Sequence, residues 1–166
     1  MALTGSWMVQ LASELTATAD FSTPLDRLMR TYFLPITDGV GLNQCNQHWH
    51  DQRTGVGTGG ENLDLAGVLV NGLGQTATFA RIKLICVFAA LANSGNVQVG
   101  GHATLAFINW VASATDIINV RPGGLFLLAA PDATGYAVTA GTGDLLTVKA
   151  SSGTVSYDIV LVGGAT

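Results

Sequence analysis

The chain has 166 residues, of which 48% are apolar and only 11% charged, against roughly 25% charged in ordinary soluble domains. That length suits one domain with a modest core, but so few charges cannot coat a free-standing monomer in the usual way. A net charge of −4, with seven Lys and Arg spread thinly and no basic run, argues against nucleic-acid binding.

The N-terminal stretch MALTGSWMVQLASEL has neither the positive region nor the continuous apolar segment of a signal peptide, so a cytosolic product is expected. Trp7, Val9, Leu11 and Leu15 recur at even spacing, which predicts a strand with one face buried. The next stretch, STPLDRLMRTYF, admits two readings. It is either a helix capped by Ser22 or Thr23, opened by Pro24 and stopped at Pro35, with Leu25, Leu28, Met29 and Tyr32 on one face, or an extended segment. The Gly-rich residues 55–60 (GVGTGG) read as a linker. Residues 1–60 are therefore expected to be an N-terminal arm with its linker, and residues 61–166 a β-sandwich.

From Asn62 onward, turn signals recur every 8–12 residues, from NGLGQ (71–75) to SSGT (151–154). Between them lie predicted strands at Thr76–Leu91, Val97–Val99, Ala103–Val111, Ile117–Val120, Leu125–Ala130, Tyr136–Thr139, Leu145–Ala150 and Val155–Val162. The pattern predicts an all-β, jelly-roll-like β-sandwich with an extended N-terminal arm. Leu146, Val148 and Ala150 alternate with polar residues, as do Val155, Tyr157, Ile159 and Leu161 across the SSGT turn, which predicts a β-hairpin. Pro131 and Gly135 bracket a turn that Asp132 can cap. The longest apolar run, Leu84 to Ala92, is far short of the ~20 residues a membrane helix needs.

Chemistry-bearing patterns are few. In CNQHWHD (45–51), His48 and His50 would project from one face of a strand, as two metal ligands should. The cupin spacing fails, however, because Glu61 lies eleven residues past His50, and His102 precedes the Pro-Gly turn. Residues 55–60 lack the Gly-Lys-Ser/Thr ending of a phosphate loop. Cys45 beside His48 and His50 is a Cys–His pair in sequence only, and no G-x-S-x-G elbow exists. Asp64, Asp116, Asp132, Asp144 and Asp158 stand singly and read as turn caps or polar-face residues, with calcium at Asp132 and Asp144 the alternative. Two cysteines are too few for a disulfide scaffold, and a Cys45–Cys86 bridge is disfavoured in a reducing compartment. No catalytic, cofactor-binding or metal residue is assigned, and the chain is not expected to be an enzyme. The apolar excess must be covered, most simply by another copy or a larger assembly. Trp7, Trp49 and Trp110 read as core or interface anchors; Trp7, Val9, Leu11 and Trp49 are the candidate interface residues, with Arg121 either an intersubunit ion-pair partner or a solvated charge.

Four segments carry a resemblance: LPITDGVGLNQCNQHWHDQRT (34–54), ENLDLAGVLVNGLGQTATFARIKLI (61–85), VRPGGLFLLAAPDATGYAVTAGTGDLLTV (120–148) and VSYDIVLVG (155–163). Together they resemble a family of small virion structural proteins of tailed bacteriophages, over about residues 34–162. Residues 55–60 depart from the pattern in being Gly-rich rather than Ala/Ser-rich. The resemblance implies a virion subunit made in the host cytoplasm, in first place a head decoration or cement protein on the capsid surface. Such a protein would be a homo-oligomer, often a trimer, bridging copies of the major capsid protein. A tail or head-fibre, receptor-binding subunit is the alternative. No membrane or nucleic-acid partner is expected.

Overall fold

The computed structural model describes residues 2–102 and 104–165, and no helix occurs among them. The strands are β1 (Gly5–Thr16), β2 (Leu25–Ile36), β3 (Gln47–Gly57), β4 (Glu61–Asp64), β5 (Arg81–Ala89), β6 (Val97–Gly100), β7 (Ile117–Val120), β8 (Leu125–Ala129), β9 (Tyr136–Ala137), β10 (Leu145–Ala150) and β11 (Thr154–Gly164). They form three antiparallel sheets: the ribbon β1-β2, a four-stranded sheet β4-β10-β6-β7, and a five-stranded sheet β3-β11-β5-β8 with β9 added to β5.

The two larger sheets share one core. Leu63, Val97, Val99, Val120, Leu146, Val148 and Ala150 of the first sheet meet Trp49, Ile85, Val87, Val155, Tyr157, Ile159 and Leu161 of the second. Branched and aromatic side chains at every second position fit a pleated, half-buried surface, and alternation on β10 and β11 puts these residues inside. Leu65, Phe79 and Phe107 close the core from the connections.

The structure departs from several of these expectations. β10 and β11 do not form a hairpin. β10 pairs with β4 and β6, β11 pairs with β3 and β5, and the SSGT turn carries the chain from one sheet to the other. Their apolar faces look at each other across the core instead of lying side by side. The Gly-rich residues 55–60 are likewise no linker. β3 runs to Gly57, a turn closes with the Gly60 N–H donating to the Gly57 carbonyl at 3.1 Å, and β4 begins in the opposite sheet. Gly60 has φ 73°, and a Cβ there would lie 2.9 Å from the Val148 carbonyl oxygen, so a tight turn requires glycine. β3 thus belongs to the two-sheet body, although it precedes residue 60.

The helical reading of STPLDRLMRTYF also gives way. Residues 25–36 are β2, paired with β1 from Thr16↔Leu25 to Gly5↔Ile36. The face expected to be buried on β1 is half-buried at Trp7 and Val9 and exposed at Leu11 and Leu15. Ala103 lies outside the described residues, and the rest of the expected run to Val111 forms turns with one bridge, Ala106↔Leu145. β4 takes one edge of β10 over Leu145–Val148 and β6 takes the other from Val148 onward, so this segment meets β10 only at its start, Leu145.

Candidate interaction surface

The ribbon is built from twelve paired positions, which at ~3.4 Å per residue makes it about 40 Å long. Directly paired residues share a face. One face carries Trp7 with Leu34, Val9 with Tyr32, Leu11 with Arg30, Ser13 with Leu28, and Leu15 with Asp26. The other carries Met8 with Phe33, Gln10 with Thr31, Ala12 with Met29, and Glu14 with Arg27. Both faces are therefore rich in apolar side chains. At the tip, Ala19 donates to the Ser22 carbonyl, and Phe21 stands fully exposed. Nine of the twenty exposed large apolar side chains among the described residues belong to residues 5–36. The Glu14–Arg27 pair, at 2.7 Å, is exposed and contributes under about 1 kcal/mol.

At its base the ribbon leans on the outer face of the five-stranded sheet. Ile36, Cys45, Leu84 and Val162 are buried there, with Leu3, Trp7, Leu34, Ala129 and Val160 packed against them. Register defines three rows across that outer face: His48, Val162, Leu84 and Ala129; His50, Val160, Cys86 and Leu127; Gln52, Asp158, Phe88 and Leu125. Between these rows and the Trp7, Val9 and Tyr32 end of the ribbon lies an open, mostly apolar groove of about 420 Å³. The sequence signal for this face is the unbroken apolar run from Leu84, in which residues facing away from the core are as apolar as those facing it.

The predicted site residues divide. Trp7 and Val9 sit at the ribbon base and Leu11 beyond it, exposed. Trp49 is a core residue, not an interface one: it is 3% exposed, donates from Nε1 to the Val70 carbonyl at 3.1 Å, and lies under the Arg53 guanidinium at 5.5 Å. Arg121 is exposed and makes no ion pair among the described residues, while its carbonyl accepts from Gly124 at 2.8 Å. Of the other tryptophans, Trp110 packs against Phe126 at 5.7 Å.

The metal and nucleophile patterns do not converge. His48 and His50 stack with ring centroids 5.9 Å apart, but no group of three potential ligands occurs among the described residues. His102 Nδ1 accepts from the Thr104 N–H within its own turn. Glu61 accepts from the Tyr157 hydroxyl at 2.6 Å, and burial followed by this bond drives the phenol's pKa upward. Asp132 Oδ1 accepts from Thr134 and Gly135 at 2.8 and 2.9 Å, which lowers its pKa. Asp144 Oδ2 accepts from Gly141 at 2.5 Å. Cys45 and Cys86 are free and buried; burial pushes the Cys86 thiol up to about 11 and also raises Cys45, against the pull of the nearby Lys83 charge.

Sequence reasoning missed Lys83. Its Nζ donates to the carbonyls of Val40, Gly41 and Gln44 at 3.2, 2.6 and 2.9 Å, and the whole residue is buried. Burial lowers its pKa, with Cys45 opposing. The ammonium fastens loop 37–46, which joins the ribbon to β3, onto the five-stranded sheet.

Comparison of the chain with family models, with curated proteins and with solved structures finds no match.

Proposed function

We propose that this chain is a structural subunit of a tailed-bacteriophage particle, a head decoration protein that stabilises the capsid by bridging neighbouring major capsid subunits. The observation that carries the reading is the ribbon: a long two-stranded projection, apolar on both faces, attached to a body with its own core. A two-stranded ribbon alone is marginally stable in water, and an apolar surface of this extent marks a contact with another macromolecule. The ribbon is read as an arm that grips a neighbour in an oligomer, with a trimer as the expected state. The resemblance of residues 34–162 to small phage virion proteins supplies the particle.

The body is read as a jelly roll. The orders β3-β11-β5-β8 and β4-β10-β6-β7, with the chain changing sheet at β3/β4, β4/β5, β5/β6, β7/β8, β9/β10 and β10/β11, are those expected of the eight strands of two interlocked Greek keys. Jelly rolls recur in viral capsid domains, which supports the reading by analogy of fold alone.

The test is co-sedimentation of purified protein with empty capsid shells of its phage. Saturable binding at a fixed ratio to the shell subunit, with shells that resist heat better once coated, is the expected result. Absence of shell binding, together with staining of host cells by labelled protein, would replace this reading with a fibre or receptor-binding role.

A further inference from the structure

We propose that the outer face of the five-stranded sheet is the seat for the ribbon of a second copy of this chain. Leu11, Leu15 and Leu28 of the incoming ribbon enter the groove beside Cys86, Phe88 and Leu127, and its Arg30 reaches Asp158. The inference rests on the assembly reading above and names the partner of the ribbon.

Area is the first argument. Fully burying a large apolar side chain removes roughly 60–120 Å² from water at ~25 cal/mol per Å². The three leucines that enter the groove, Leu11, Leu15 and Leu28, share one ribbon face and therefore represent roughly 180–360 Å². A stable complex takes about 800 Å² from each partner, so these leucines supply roughly a quarter to under half of one side of the interface.

The receiving surface is on the same chain and is unfilled within it. The ribbon's own base covers Leu84 and Val162, but Phe88, Leu125 and Leu127 remain 45%, 54% and 39% exposed. They flank a groove large enough for a few side chains and too small for a folded domain. A row of leucines projecting from one face of a β-ribbon has the shape that such a groove accepts.

Charge gives the register. On the ribbon face that carries Leu11, Arg30 is the one cation, and it makes no ion pair among the described residues. Arg27 points to the opposite face and is held by Glu14. Asp26 is the only anion on that face, at its far end beside Leu15. Across the three outer rows of the sheet, Asp158 is the single carboxylate, next to Phe88 at one end of the groove, with Oδ1 accepting from Gln52 at 2.9 Å and Oδ2 without a partner among the described residues. One cation in an apolar ribbon face and one anion in an apolar sheet face are complementary, and such pairs fix the register of an interface more than its strength.

Sedimentation velocity of the full chain, without shells, tests the inference. Wild type is expected to form a discrete oligomer, and Leu11→Asp to shift it to monomer with its far-ultraviolet circular dichroism unchanged. Arg30→Asp and Asp158→Arg should each weaken association by roughly tenfold, and the two together should recover most of that loss. A wild-type monomer at high micromolar concentration overturns the proposal, as does an oligomer indifferent to either charge reversal, or a double variant no tighter than the weaker single. Shell binding measured on the same samples separates the two ideas: a monomer that still coats shells removes only this inference, whereas a charge-coupled oligomer that ignores shells removes only the capsid reading.

Discussion

Lys83 shows how one residue can hold two parts of the molecule together. All three ammonium protons are taken by carbonyls of residues 40, 41 and 44, so the loop's exposed backbone acceptors and the buried charge satisfy one another. Lys83→Met would take the donor from the Gln44 carbonyl and leave Val40 and Gly41 only their bonds from Arg81 and the Gln44 N–H, and is expected to cost about 2 kcal/mol. Urea denaturation should report this as a lower midpoint with unchanged slope. Lys83→Arg should not rescue it, because a planar fork cannot point three donors at a compact cradle. None of this was legible beforehand. A lone lysine in ARIKLICVF looks like an outward-facing strand residue, and its partners are backbone carbonyls some forty positions earlier, which leave no side-chain signature. The Asp132 turn was legible because cap and capped amides lie within three residues. For Trp49 the sequence leaves core and interface open, because its partner, the Val70 carbonyl, comes from a separate connection and leaves no local signature.

Among the elements, the ribbon and the body differ in what holds them. β11 lies between β3 and β5 with its inward side chains in the core, whereas β1 and β2 have only each other over most of their length. Hydrogen exchange on the isolated protein should therefore be fast for residues 10–30 and slowest in β5 and β11, with a difference of several kcal/mol in opening free energy. In the oligomer the ribbon amides should slow and those of the body should not. β1 was readable from its even spacing. β2 was ambiguous because Leu25, Leu28, Met29 and Tyr32 satisfy a helical stripe, and full-length pairing with β1 decides the matter. The β10–β11 turn was misread because alternation is identical whether two strands lie side by side or face one another across a core. Only the hydrogen-bonding partners differ, and these are set by β4 and β6, β3 and β5.

For the whole molecule, composition gave the right kind of question. A 48% apolar chain with 11% charge does not spread its excess evenly: much of it is gathered on the ribbon and on the sheet face beside it. The totals announced an excess, but where it would collect depends on which strands end at an edge and which cross between layers. A consequence follows from the position of β11, the last strand in sequence and a central one in its sheet. During synthesis the ribbon emerges before the body, which cannot close until residues 154–164 have emerged to join β3 to β5. Nascent chains arrested before residue 154 should remain sensitive to protease throughout, and release of the final strand should confer resistance in a single step. Such a chain commits to its shape late, and the seat beside β5 and β11 exists only once the body has closed.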